Sequence, residues 1–305
     1  MKYAIGVDIG GTKVAIAVVN EKGQIKEQTI IPTDLTITPE AMIDRIANVV
    51  RETITQVQID ETDIIGMGIG APGPLDSKNG MVTCPPNLTG WVDVPICEQL
   101  AQSFSYPIRL ENDANVAALA EKWIGAATEC DNFTYMTVST GIGGGVIIEG
   151  KLLRGVKGNA GDIGHTVVDP DFGPCVCGQY GCLEIIASGT AIARRGSEIM
   201  GETLTTKEVF DLYHEGQRDM VQLVKDVFQV LGMACVNIVN TFDPEKIVIG
   251  GGVSKVGAPM FEAINDYVSQ YALNPAGRQT EVVPAKLDQS SGVVGAAALC
   301  FGIVS

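Results

Sequence analysis

Two stretches of this chain look alike, and the likeness limits the folds open to it. Tyr3 to Gly23 reads YAIGVDIGGTKVAIAVVNEKG, and Tyr135 to Gly150 reads YMTVSTGIGGGVIIEG. Each is a β-rich run, a glycine-rich turn, a second β-rich run and a short acidic turn containing glycine. Each therefore predicts a β-hairpin with a glycine tip. The copies start about 130 residues apart in a chain of 305, which suggests two related α/β halves and fits two medium-sized domains. Helical patterns lie between and after them. Thr38-Pro39 reads as an N-cap and first-turn proline ahead of Met42, Ile43, Ile46, Val49 and Val50 at helical spacing. Thr205-x-x-Glu208 reads as a capping box, Met220 to Val239 as a long helix, and Lys246 to Ile249 as a buried strand ending at Gly250-Gly251-Gly252. The expected domains are residues 1–118 and 119–289. The small-residue helix around Gly292-x-x-Gly295-Ala296-Ala297, in 290–305, is expected to pack back on the first.

Charge and hydropathy exclude several functions. The net charge is −15, and a surface this acidic repels nucleic-acid phosphates and anionic membranes alike. Asp8 stands where a secretory leader needs an apolar run, and no apolar stretch is expected to approach the ~18–20 residues of a membrane span. A soluble cytoplasmic protein is expected.

The glycine tips carry the first chemical signal. Asp8-Ile9-Gly10-Gly11-Thr12-Lys13 lets backbone N–H groups crowd around a phosphate, with Thr12 as a hydroxyl donor and Asp8 able to orient a hydrated Mg²⁺. It is not a Walker A loop, because a strand follows it. Ser139-Thr140-Gly141-Ile142-Gly143-Gly144-Gly145 forms the second tip, and two facing tips would clamp a polyphosphate. Gly251 and Gly252 would allow close approach to an adenosine. Gly66-x-Gly68-x-x-Ala71 matches a dinucleotide fingerprint by letters only, since Pro72 and Pro74 stand where that fingerprint needs a helix.

Two further clusters follow. Glu111-Asn112-Asp113 closes a β-like stretch and precedes a helical run, so it offers either a general base at a strand end or a helix cap. The chain has 8 cysteines and only 2 histidines, and His165-x9-Cys175-x-Cys177-x4-Cys182 gathers four soft or borderline ligands. That set suits a tetrahedral Zn²⁺ with no open position, hence a structural ion. The other cysteines read as small buried residues rather than a disulfide framework.

Taken together, the two phosphate loops, Glu111-Asn112-Asp113, Gly161-x-x-Gly164-His165 and Cys175-x-Cys177-Gly178-x-x-Gly181-Cys182-x-Glu184 resemble the ROK family of sugar kinases, in family order and across the chain. The resemblance implies two ribonuclease-H-like domains of the actin-like ATPase type with an active-site cleft between them. It implies ATP-dependent phosphorylation of a free hexose at its 6-hydroxyl, glucose first, with N-acetylmannosamine or fructose as alternatives. Asp113 would be the base. Gly73, Asn87, Asn112, Asp162, His165 and Glu184 would hold the sugar, His165 using one ring nitrogen for sugar and the other for zinc. Asp8, Gly10, Gly11, Thr12, Lys13, Thr140 and Gly141 would hold ATP and Mg²⁺. A homodimer or larger homo-oligomer is the expected assembly. Family repressors carry an N-terminal winged helix that the early first loop leaves no room for, and a silent sugar sensor would not need both Asp8 and Asp113. One departure stands out: Asp162 replaces the family's usual Glu, so the sugar contact is one methylene shorter.

Overall fold

The computed structural model describes residues 1–288 and 290–303, which divide into two compact units. The first takes Met1–Glu129, Gly150–Ala160 and the C-terminal stretch from Lys286; the second takes Cys130–Glu149 and Gly161–Ala285. Residue 289, the expected end of the second domain, and residues 304 and 305 of the expected C-terminal segment lie outside the described residues.

In the first unit β1 (Tyr3–Ile9) turns directly into β2 (Lys13–Asn20), with Ile9 opposite Val14. β3 (Ile25–Pro32) extends the antiparallel side, while β4 (Ile64–Ala71) and β7 (Ile108–Asn112) add in parallel, giving the order β3-β2-β1-β4-β7. A small hairpin of β5 (Leu75–Asp76) and β6 (Met81–Val82) and a short helix α2 (Ile96–Ala101) complete its minor elements, while the two-residue β10 (Lys151–Leu152) is an edge strand of the other five-stranded sheet.

Alternation along β1 explains why both faces of this sheet are covered. Ile5, Val7 and Ile9 share a core with Met42, Ile43 and Ile46 of α1 (Pro39–Val57). That helix starts where expected, Thr38 Oγ1 accepting the Ala41 N–H at 3.3 Å. On the other face Ala4, Ala15 and Ala17 meet Val293 and Ala297 of α9 (Ser291–Phe301). Small residues are needed here because the helix backbone lies almost on the sheet. A Cβ on Gly6 would stand 1.9 Å from the Val293 carbonyl oxygen, and one on Gly68 1.7 Å from that of Ala296. Gly66 and Gly68 are thus strand glycines beneath a helix, not a dinucleotide turn.

The second unit repeats the scheme. β8 (Phe133–Val138) and β9 (Ile142–Ile148) form a hairpin closing at Val138 and Ile142, and β11 (Lys246–Gly250) and β12 (Glu281–Pro284) add in parallel beside β8. Around them lie α4 (Leu183–Ala187), α5 (Gly189–Met200), α6 (Thr206–His214), α7 (Arg218–Phe242) and α8 (Ala258–Tyr271). Thr205 and Glu208 form the expected capping box. By length and composition α7 is long and apolar enough to cross a membrane, which corrects the expectation that no stretch would be. Its Leu223, Val224, Val227, Phe228 and Leu231 are buried in the core of this unit.

The expected division at residue 118 needs correction. It falls inside α3 (Asp113–Ile124), whose buried Val116, Ala117, Leu119 and Ala120 continue without a break. The first unit runs on to Glu129 and takes back residues 150–160. Near the end of α3, buried Glu121 accepts N–H bonds from Ala126 at 2.6 Å and Leu287 at 2.8 Å, tying the returning C-terminal stretch to this helix.

Candidate active site

Because β1, β4 and β7 are parallel neighbours, their C-terminal ends meet at one end of the first sheet. Asp8 pairs in register with Gly70, and Ala71 with Asn112. Carboxyl ends of strands are where open α/β sheets bind ligands, and four expected site residues collect here. Asn112 is the N-cap of α3, its Oδ1 accepting N–H bonds from Ala114 at 3.0 Å and Asn115 at 3.3 Å. Asp113 is the first residue of the helix, where the dipole favours negative charge. Capping therefore falls to Asn112, the neighbour of Asp113. Gly73 lies beside Asn112, where a Cβ would stand 3.5 Å from Nδ2.

The first tip is held by its own backbone. The Gly10 N–H donates to the Lys13 carbonyl at 2.9 Å, and Thr33 Oγ1 donates to the Gly10 carbonyl at 2.6 Å. Thr12 and Lys13 are exposed. A Cβ on Gly11 would come within 2.7 Å of the Asn87 carbonyl oxygen. Asn87, expected among the sugar contacts, therefore has its backbone against the first tip.

Asp8 is the electrostatic centre of this corner. Burial, and then the charge of nearby Asp113, push its carboxyl up from 3.8 to about 6, against a smaller opposing pull from Lys13. Gly292 packs so closely that a Cβ there would be 2.2 Å from Asp8 Oδ2. Two carboxylates that repel each other in a partly buried corner fit a site for a cation. The shift has a consequence for stability. A carboxyl whose pKa is raised in the folded state binds more protons there than in the unfolded chain. Stability therefore falls as pH rises from about 4 to 6, and the cost persists above that window. Asp8→Asn removes it, so without divalent cations the variant is expected to melt above the wild type at pH 7.5. The gain is of order 1–3 kcal/mol and vanishes near pH 4. Equal melting temperatures at pH 7.5 would show that Asp8 is not held under strain.

In the second unit the tip between β8 and β9 closes through the Ser139 N–H on the Gly141 carbonyl at 2.9 Å, with Thr140 exposed. The carbonyls of Ser139 and Thr140 accept N–H bonds from Gly189 and Thr190 at the start of α5. Glu184, in the first turn of α4, accepts the Ile142 N–H at 2.9 Å through Oε2, so it lies directly against this tip. A Cβ on Gly141 would sit 2.5 Å from the same oxygen. Gly251, at φ +89°, passes so near Val138 that a Cβ would be 2.3 Å from its carbonyl oxygen, whereas Gly252 borders open space. Thr140, Gly141, Glu184 and Gly251 thus come together, with Gly252 next in the chain.

His165 faces two ways. Its Nδ1 is 3.4 Å from Cys175 Sγ, and its Nε2 is 4.0 Å from Glu184 Oε1. Cys177 and Cys182 bring their sulfurs to 3.5 Å, and all four donor atoms lie within 4.8 Å of one another. Tetrahedral Zn²⁺ with bonds of about 2.0–2.3 Å places its donors roughly 3.3–3.8 Å apart; the His165–Cys175 and Cys177–Cys182 pairs stand in that range, and the donor set suits a metal ion. All eight cysteines are free thiols. Asp162 precedes the His165 turn and is exposed.

Two residues of the first corner escaped the sequence reading. Glu111 was visible only as part of a motif, with no role of its own, and it is buried against Arg154, whose Nε lies 2.7 Å from its Oε2. Gly292 was legible as part of a packing helix but not as a neighbour of Asp8, since no local pattern reports a contact across most of the chain.

Residues 4–302 match the ROK family. The chain is 36% identical to a glucokinase of Halalkalibacterium halodurans, over 96% of its own length and 93% of that protein. It is 37% identical to a glucokinase of Thermotoga maritima, over 97% and 96% respectively. The solved structure of a ROK family glucokinase from Streptomyces griseus in complex with glucose and AMPPNP matches with a TM-score of 0.81 at 32% identity, covering 97% of this chain and 98% of that one.

Proposed function

The chain belongs to the ROK family, and on that premise we propose that it transfers the γ-phosphoryl group of ATP to the 6-hydroxyl of glucose. Phosphoryl transfer asks a protein for positioning and charge stabilisation rather than covalent chemistry. The observation that carries the reading is the strand-end corner: Asp113 opens α3 beside Asp8 and next to Asn112. Asp113 accepts the proton of the attacking hydroxyl. Asn112, Gly73, Asp162, His165 and Glu184 hold the sugar hydroxyls. The glycine tips at Gly10–Lys13 and Thr140–Gly141, with Gly251 and Gly252, bind the phosphates and nucleoside of ATP. Asn87, whose backbone lies against Gly11 of the first tip, joins the sugar contacts. Asp8 would hold hydrated Mg²⁺, which when bound offsets phosphate charge. His165, Cys175, Cys177 and Cys182 would hold Zn²⁺ as a structural ion. The cytoplasm as site of action and a homo-oligomeric assembly belong to the same proposal.

An ADP-release assay against a panel of hexoses tests it. Glucose is expected to give the highest kcat/KM, with activity lost when Mg²⁺ is chelated. N-acetylmannosamine or fructose outperforming glucose would reassign the sugar, and no ADP release with any hexose would overturn the kinase reading.

A further inference from the structure

The corner that presents Asp113 rests on a buried carboxylate. Glu111 is 1% exposed. Its Oε1 accepts the backbone N–H of Asn112 at 3.0 Å and Asn115 Nδ2 at 3.0 Å. These donors come from the residue just before Asp113 and the second residue after it, so one oxygen clamps both sides of the base. The other oxygen takes Arg154 Nε at 2.7 Å. Ser77 Oγ stands at 3.5 Å from Oε1, a weaker contact. Arg154 is thus the cation paired with this charge. Its own carbonyl accepts the Ala160 N–H at 3.2 Å, which closes the loop leading straight into Gly161 and Asp162.

We infer that Arg154 is a positioning residue for the reaction, acting on Asp113 through Glu111. The inference rests on the reading of Asp113 as the base. A buried carboxylate without its counter-charge is costly. Glu111 and Arg154 border a cavity of about 730 Å³ that also touches Ser77, Arg109 and Lys157. Released by Arg154, the carboxylate has room to turn toward that space. It then abandons the Asn112 N–H, and the strand-to-helix corner loses the bond that sets where Asp113 points. A misplacement of about 1 Å costs on the order of 10²-fold in rate.

The test compares wild type, R154M, the double variant E111Q/R154M and D113N, with kcat expressed per folded protein and melting temperature recorded beside it. R154M is expected to lose kcat by roughly tenfold to a hundredfold, with KM for ATP little changed. In the double variant the amide needs no counter-charge, and its oxygen still accepts from Asn112 and Asn115. It should recover most of the lost kcat. A structural role alone moves the melting temperature and leaves kcat per folded protein at the wild-type value, which would overturn the inference. So would a double variant that folds yet turns over at about a tenth of the wild-type rate or less, an arm that remains decisive if R154M itself fails to fold. A D113N enzyme as active as wild type would instead overturn the assignment of the base, a failure distinct from that of Arg154.

Discussion

Asp113→Asn is expected to lower kcat by about 10²–10⁴ while leaving glucose and ATP affinities close to wild type. The amide keeps the shape of the side chain, and its oxygen still accepts the Ala114 N–H that Asp113 Oδ1 accepts at 2.8 Å. What it cannot do is take the proton of an attacking hydroxyl. The fold has little reason to suffer, because the N-cap bonds to Ala114 and Asn115 come from Asn112. Substitution also removes the charge that helps push Asp8 up, so the two carboxylates no longer compete. Chemistry and stability should therefore separate: kcat falls while the melting temperature at pH 7.5 holds or rises. Single-turnover kinetics and thermal melts on one preparation read both. A variant keeping more than about a tenth of wild-type kcat would return Asp113 to a purely structural role at the helix start.

How far the letters reached depends on the range of the interactions involved. Both hairpins were legible because strand alternation and glycine tips are local signals, and β1–β2 and β8–β9 form where they predict. The four-donor cluster was legible for the same reason, its three cysteines falling within eight residues. The division of the chain was not. Nothing in composition changes at Glu129, Gly150 or Ala160, and α3 runs through the point where the Glu111-Asn112-Asp113 motif suggested a break. Base or cap could not be separated at that motif, because Asn and Asp suit either role. Only the observed bonds from Asn112 Oδ1 place the cap there. Arg154 carried no signal at all. A single arginine in Leu153-Arg154-Gly155 becomes meaningful only when its partner, 43 residues away, is seen to be buried.

Removal of the proposed zinc is expected to disable the sugar site before it unfolds the protein. Between His165 and Cys182 the chain is ordered by short backbone bonds, such as the Cys175 N–H on the Gln179 carbonyl at 2.7 Å and the Gly181 N–H on the Gly173 carbonyl at 2.8 Å, and by little apolar burial. Gly173, Gly178 and Gly181 all hold positive φ, and Val176 and Tyr180 are 93% and 60% exposed. Hydrophobic burial therefore contributes little to this loop, and four ligand bonds to the proposed ion would add much of its order. The core of the same unit lies elsewhere, on α7 and α8 against β8 and β11, and has no ligand in it. His165 makes the link to function, since Nδ1 faces Cys175 and leaves Nε2 directed toward Glu184. Fixing one ring nitrogen on a metal fixes the tautomer and direction of the other. Cys177→Ser, or chelation, should weaken glucose affinity by about tenfold to a hundredfold. ATP affinity should change far less, because Glu184 keeps its bond to Ile142 beside the second tip and the first tip lies in the other unit. Calorimetric titration of each ligand into protein verified as metal-free, with circular dichroism on the same samples, separates the outcomes. Undiminished glucose affinity would mean that the loop orders His165 without an ion. Loss of the helical signal along with binding would mean that the ion supports the whole second unit, and that sugar recognition fails only because the fold does.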